Sequence, residues 1–223
     1  KPPDPIETIK SGEVEYLIGL RVEGQRIGIL IDRSSSMTDE KLIDIIRRKN
    51  AEVGIKRLGP KWKRTVAIAE WLITRIPKSS YISLISFSGS AISHTGKSAV
   101  LGTNANLLNN ALTDLANVVP EGPTNLQAGL VEIMRMNPTD IYLITDGLPT
   151  VGSGSFASLN PFSDCSSLWG TSSKISGPCR VELFRHTIKS FKYGGVKINV
   201  VLLPIEGDPD AAKEYWSWTS AHN

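Results

Sequence analysis

Arg26-Ile27-Gly28-Ile29-Leu30-Ile31-Asp32-Arg33-Ser34-Ser35-Ser36 is an apolar run that halts at a carboxylate and passes straight into a row of hydroxyls. Ile27 to Ile31 carry no charge, and the run is short and rich in β-branched residues. It therefore predicts a strand buried on both faces rather than the alternating strand of a half-exposed sheet. Three more runs share its character, at residues 81–88 (YISLISFS), 140–146 (DIYLITD) and 196–204 (VKINVVLLP). Between them apolar residues recur at helical spacing. Trp62, Val66, Ala69, Leu72, Ile73 and Ile76 form one stripe, ended by Pro77, and Leu107, Leu108, Ala111, Leu112 and Leu115 form another before Pro120. Further helices are expected over 125–136, 180–192 and 210–221. Such alternation specifies an α/β fold: a doubly wound, mostly parallel open sheet flanked by helices, which binds ligands at the carboxyl ends of its strands.

Outward from that frame, residues 1–25 read as an N-terminal extension with one extra strand over 16–22, turned by Glu23-Gly24 into the first core strand. Residues 26–223 read as one domain. Residues 38–49 suggest a short helix capped by Thr38. Residues 149–178 form a long Ser/Gly-rich loop carrying Phe156, Phe162, Leu168 and Trp169, of a length that compact domains keep for function or leave disordered.

The composition narrows the function. Of 223 residues 40% are apolar, enough for one sizeable core, and 25 Lys plus Arg against 22 Asp plus Glu leave a net charge of +3. With no long run of like charge, a nucleic-acid groove or a polybasic membrane patch is disfavoured. The longest apolar stretch, 196–205, is broken by Lys197, Asn199 and Pro204 and is far short of a membrane span. The chain opens on Lys-Pro-Pro-Asp-Pro with neither Met nor a signal-peptide pattern, which suggests a mature or excised product. Cys165 and Cys179 lack C-x-x-C spacing and a nearby His, so a metal-thiolate site is not expected. A disulfide between them would stabilise the fold by about 3 kcal/mol and would place the protein in an oxidising, extracytoplasmic compartment.

The chemistry collects at strand ends. Asp32, Ser34 and Ser36 lie on the loop leaving the first core strand, Asp146-Gly147 follows the third, and Thr124 heads the helix before that third strand. The topology sends all of them to one sheet edge. Their oxygens are hard donors suited to Mg2+, or to Mn2+ or Ca2+, and neutral hydroxyls beside such an ion leave it electrophilic. Each residue also has a local explanation: Ser34 and Ser36 as turn caps, Thr124 with Gln127 as a capping box, Asp146-Gly147 as a turn.

Asp32-x-Ser34-x-Ser36, then Thr124, then Asp146-Gly147 after an apolar strand resembles the von Willebrand factor A domain and its metal-ion-dependent adhesion site. The resemblance runs from about Arg26 to the end of the chain. It implies that Ser34, Ser36 and Thr124 ligate a metal that Asp32 and Asp146 bind directly or through water, and that the open coordination position accepts an Asp or Glu carboxylate from a partner protein. It implies no enzymatic activity. Phe156, Phe162, Leu168 and Trp169 would then surround the captured carboxylate as apolar anchors. The chain departs from the family's usual pattern at Arg33 and Ser35, and in the roughly 25 residues that separate Ser36 from the Trp62 helix.

The enzymatic alternatives are weaker on context. Residues 91–98 (AISHTGKS) match a relaxed phosphate-loop pattern, with Asp146 as the expected Mg2+ partner of a nucleotide or phosphoryl-group enzyme. That reading needs a helix starting at Lys97-Ser98, and the next helical pattern begins only near Asn104. A polar hairpin fits better. A haloacid-dehalogenase reading would make Asp32 a nucleophile, but its general acid would have to be Ser34. His94, His186 and His222 adjoin no nucleophile motif.

Overall fold

The computed structural model describes residues 20–152 and 176–223. Its strands are β1 (Arg26–Asp32), β2 (Tyr81–Phe87), β3 (Ala91–Ser93), β4 (Val100–Leu101), β5 (Asp140–Thr145) and β6 (Lys197–Leu202). Its helices are α1 (Leu42–Lys49), α2 (Val53–Arg57), α3 (Pro60–Arg75), α4 (Ala105–Asn117), α5 (Leu126–Met134), α6 (Gly177–Lys189) and α7 (Ala211–Ser220), and a 3-10 turn spans Ser35–Thr38. The sheet runs β3-β2-β1-β5-β6, with β4 also on β2. Parallel pairing joins β2, β1, β5 and β6, while β3 and β4 run antiparallel to β2.

Period-two alternation along fully buried strands supplies two cores, one on each face. Ile27, Ile29 and Ile31 of β1 face Trp62, Ile68 and Leu72 of α3 and Leu108 and Leu115 of α4. Leu30, together with Ile85 and Phe87 of β2 and Leu143 of β5, faces Leu126, Leu130 and Ile133 of α5 and the aromatic residues of α6 and α7. On that second face Phe184 meets Tyr215 and Trp218 edge to face at 4.8 and 5.8 Å, holding α6 against α7. Gly28 lets α5 approach β1, for a β-carbon there would stand 2.6 Å from Ile133 Cγ1.

The chain winds from β1 to β2 on one side and returns to β5 on the other. The switch point of the sheet therefore lies between β1 and β5, where a crevice opens at the carboxyl ends. Asp32 closes β1 there, and Asp146 directly follows β5.

Several expectations are corrected. The helix expected over 38–49 starts at Leu42, and Thr38 does not cap it. Thr38 is the last residue of the 3-10 turn and donates its hydroxyl to Ser35 O at 3.0 Å, while Glu206 Oε2 accepts the Leu42 N–H at 2.9 Å. The one-and-a-half-turn helix α2 was not expected. Over 91–98 the polar hairpin preferred from the sequence is present: Ala91–Ser93 is strand β3, antiparallel to β2, Lys97 sits exposed in a turn, and the next element is strand β4, so no helix starts at Lys97-Ser98 as a phosphate loop would need. Of the strand expected over 16–22, only residues 20–22 are described. They carry no strand, and Leu20 and Val22 pack on the first core.

Candidate functional site

At the switch point hydrogen bonds join four of the residues read from the sequence, Asp32, Ser34, Ser36 and Asp146. Asp32 Oδ1 accepts the Ser34 N–H at 2.8 Å, and Asp32 Oδ2 accepts the Thr145 hydroxyl at 2.8 Å. Ser34 Oγ and Ser36 Oγ are 3.0 Å apart, sharing one hydrogen bond, and Ser36 Oγ donates to Asp146 Oδ1 at 3.0 Å. The local backbone explains the serines' availability. Ser34 precedes the 3-10 turn but makes no side-chain cap bond, so the turn-cap explanation fails and its hydroxyl faces Ser36 instead.

Thr124 arrives from an adjoining loop tied to the same edge. The Ser35 N–H donates to Gly122 O and the Glu121 N–H to Arg33 O, and the backbone carbonyl of Thr124 accepts from Thr150 and Val151. The capping-box explanation also fails: Asn125 caps α5, accepting the Ala128 N–H at 3.1 Å. The Thr124 hydroxyl, on a side chain only 5% exposed, makes no hydrogen bond among the described residues. The structure thus links Asp32, Ser34, Ser36 and Asp146 directly and sets Thr124 on the neighbouring loop.

Burial raises the Asp32 carboxyl to about 7, and the Asp146 charge pushes in the same direction, against the lowering effect of the Ser34 and Thr145 hydrogen bonds. Two acids crowded in a dry crevice with a row of hydroxyls form a donor set that a hard cation would satisfy. No group of three or more His, Cys, Asp or Glu side chains converges among the described residues. The available ligands are therefore two carboxylates and hydroxyls, which suit Mg2+, Mn2+ or Ca2+ rather than zinc.

Two members of the cluster escaped the sequence reading. Thr145 is one. The other is Lys61, whose Nζ donates to Asp146 Oδ2 at 2.8 Å and to Ser36 O at 3.0 Å with its side chain fully buried. A signal for Lys61 was present, because it shares the inward stripe of α3 with Thr65, Ile68, Ala69 and Leu72. A lysine on such a stripe needs a buried acid from another element.

Beyond Asp146 the chain is held by Asp208 of the loop between β6 and α7, by Arg180 of α6 and by Tyr215 of α7. Asp208 accepts the Leu148 N–H and the Arg180 guanidinium, both at 2.7 Å, and the buried Tyr215 hydroxyl donates to Gly147 O at 3.0 Å. Burial raises the Asp208 carboxyl despite these donors. Beside Ser35 lies a hollow of about 430 Å³ lined by Arg33, Lys49, Lys56 and Glu121, with Arg33 Nε buried and without a partner among the described residues. A larger hollow of about 790 Å³ lies away from this cluster, between α2, α3 and α4.

Phe156, Phe162, Leu168, Trp169 and Cys165 lie outside the described residues. Cys179 is buried in the first turn of α6, its N–H on Ser176 Oγ at 3.3 Å.

This arrangement of a mostly parallel sheet and flanking helices is that of the von Willebrand factor A fold. The chain is similar to the PilB minor pilin from Streptococcus sanguinis at 20% identity and a TM-score of 0.50, over 90% of this chain and 55% of that one. It is equally similar in fold to a von Willebrand factor type A structure from Catenulispora acidiphila, at 14% identity and a TM-score of 0.50, over 89% of this chain and 42% of that one. The chain thus spans about half the length of these proteins. No protein-family model matches it, and no curated protein does.

Proposed function

We propose that this chain is a non-enzymatic protein-binding module that uses a divalent cation, Mg2+ or alternatively Mn2+ or Ca2+, to capture an Asp or Glu carboxylate of a partner protein. Asp32, Ser34, Ser36, Thr124 and Asp146 would hold the ion. The observation that carries the reading is the Ser34–Ser36–Asp146 chain of hydrogen bonds across the β1/β5 switch point, beside a threonine hydroxyl that makes no hydrogen bond among the described residues. When bound, the cation supplies an electrophilic position for an anionic oxygen. Beside Ser35, Arg33 and Lys49 add positive charge that favours an acidic partner, Lys56 being paired with Glu121 at 3.2 Å.

The fold shared with a pilin and a von Willebrand factor type A structure supports an adhesive role at a cell surface or in another extracytoplasmic setting. Among the described residues no helix is long and apolar enough to cross a membrane. The loop that begins after Asp146 is anchored beside the site through Thr150 and Val151, and Phe156, Phe162, Leu168 and Trp169, further along the sequence of that loop, are proposed as apolar contacts for the partner.

Water-proton relaxation of the Mn2+-loaded protein tests the capture step. An Asp-containing tripeptide should displace a coordinated water and lower the relaxivity, while its Asn counterpart leaves the relaxivity unchanged. Equal effects of the two peptides, or none from either, would contradict carboxylate capture.

A further inference from the structure

Lys61 is anomalous for its position. It lies in the first turn of α3, where the helix dipole disfavours a cation, and its side chain is 0% exposed, which an ammonium tolerates only when paired. Its placement is built rather than incidental. Gly59, which precedes α3, packs so closely on the 3-10 turn that a β-carbon there would stand 2.6 Å from Thr38 O. That contact seats the start of α3 against the turn bearing Ser36, so the Lys61 ammonium reaches both the Ser36 carbonyl and Asp146 Oδ2. Asp146 is then divided between two tasks: Oδ2 faces the lysine, and Oδ1 faces the serine hydroxyls of the candidate metal site.

We propose that Lys61 is a tethered cation that stands in for part of the metal's charge, keeping the acid cluster folded in the metal-free protein and holding metal affinity down. The inference rests on the metal-site reading above. Asp32 and Asp146 repel one another in a poorly solvated crevice, and a fixed ammonium on Asp146 relieves that repulsion without any ion from solution. The same ammonium, one carboxylate away from the ligand hydroxyls, opposes a divalent cation arriving there. With metal bound, the two carboxylates, the ammonium and the ion together keep a positive balance, which draws in an anionic ligand. Lys61 is thus a positioning residue that acts through Asp146. It makes the site ready but weakly loaded, so that metal and acidic partner reinforce each other.

The test compares wild type with Lys61→Met and Lys61→Gln, all metal-stripped, by Mn2+ calorimetry and by thermal melting with and without Mg2+. Lys61→Met should lower the metal-free melting temperature by roughly 5–10 °C, bind Mn2+ about tenfold tighter, and regain most of the lost temperature when Mg2+ is added. Lys61→Gln, which keeps a hydrogen-bond donor but no charge, should fold well and show the tighter Mn2+ binding as well. Wild type binding Mn2+ while both variants bind it no more tightly would overturn the role of Lys61 alone. No binding by any of the three would overturn the metal-site reading and this inference with it.

Discussion

Thr145 Oγ1 donates to Asp32 Oδ2 across 2.8 Å, and both side chains are fully buried, so one hydrogen bond ties the ends of β1 and β5 together beneath the candidate site. Thr145→Val keeps the shape and removes the donor, leaving a buried carboxylate oxygen unpartnered. The expected cost is about 1–3 kcal/mol. Urea unfolding should show a lower midpoint with an unchanged slope, and a midpoint equal to wild type would show that the bond contributes nothing.

Gly147 is required by a close approach rather than by a turn. A β-carbon there would stand 2.5 Å from Asp208 Oδ2 and 3.0 Å from Arg180 Nη2. Gly147→Ala should therefore push Asp208 off the Leu148 N–H and destabilise the protein by about 1–3 kcal/mol. Metal affinity should fall with it, since Asp146 is the preceding residue. Calorimetry and urea unfolding of this one variant check both effects.

His94 predicts a pH dependence. Its Nε2 lies 2.8 Å from Ser86 Oγ, and burial lowers its pKa below the ordinary 6.5; Arg33 acts in the same direction and Asp114 opposes it. The unfolded chain takes up a proton as the pH falls through about 6.5, whereas the folded chain resists it, so stability drops on acidification. His94→Gln removes this component. The loss of stability between about pH 7.5 and about pH 5.5, measured by denaturation, should be smaller in the variant than in wild type.

The Cys165–Cys179 pairing expected from the sequence predicts that non-reducing peptide mapping finds one cross-linked peptide. Reduction should then cost about 3 kcal/mol of stability. Two alkylatable thiols in native protein would contradict the pairing.

The sheet was legible because its central strands are buried on both faces, so Ile27 to Ile31 and Ile141 to Ile144 announce themselves by composition alone. What composition could not reveal was short or exposed. β3 and β4 have only three and two residues, at the edge of β2, too few for any period to show. Leu42, Ile43 and Ile46 of α1 are apolar yet about half exposed, so their pattern points to no core. Within the site, Asp32, Ser34, Ser36 and Asp146 were readable because spacing along one loop and one strand end places them. The stripe of α3 marked Lys61 as buried but not its partner, because Asp146 is 85 residues away and the packing of α3 on the 3-10 turn unites them. Thr124 and Asn125 compete for one cap, and sequence spacing alone did not decide it in favour of Asn125.

Calorimetric titration of metal-stripped protein with Mg2+ and Mn2+, run beside Ser34→Ala, tests the central claim most directly. Ser34 Oγ shares a hydrogen bond with Ser36 Oγ and caps no helix, so the substitution should leave the fold intact while removing a proposed ligand. The account predicts a single binding event in wild type, with a matching rise in melting temperature that is abolished or strongly weakened in Ser34→Ala. Absence of binding by wild type at about 10 mM of either ion, or equal binding by Ser34→Ala, would contradict it.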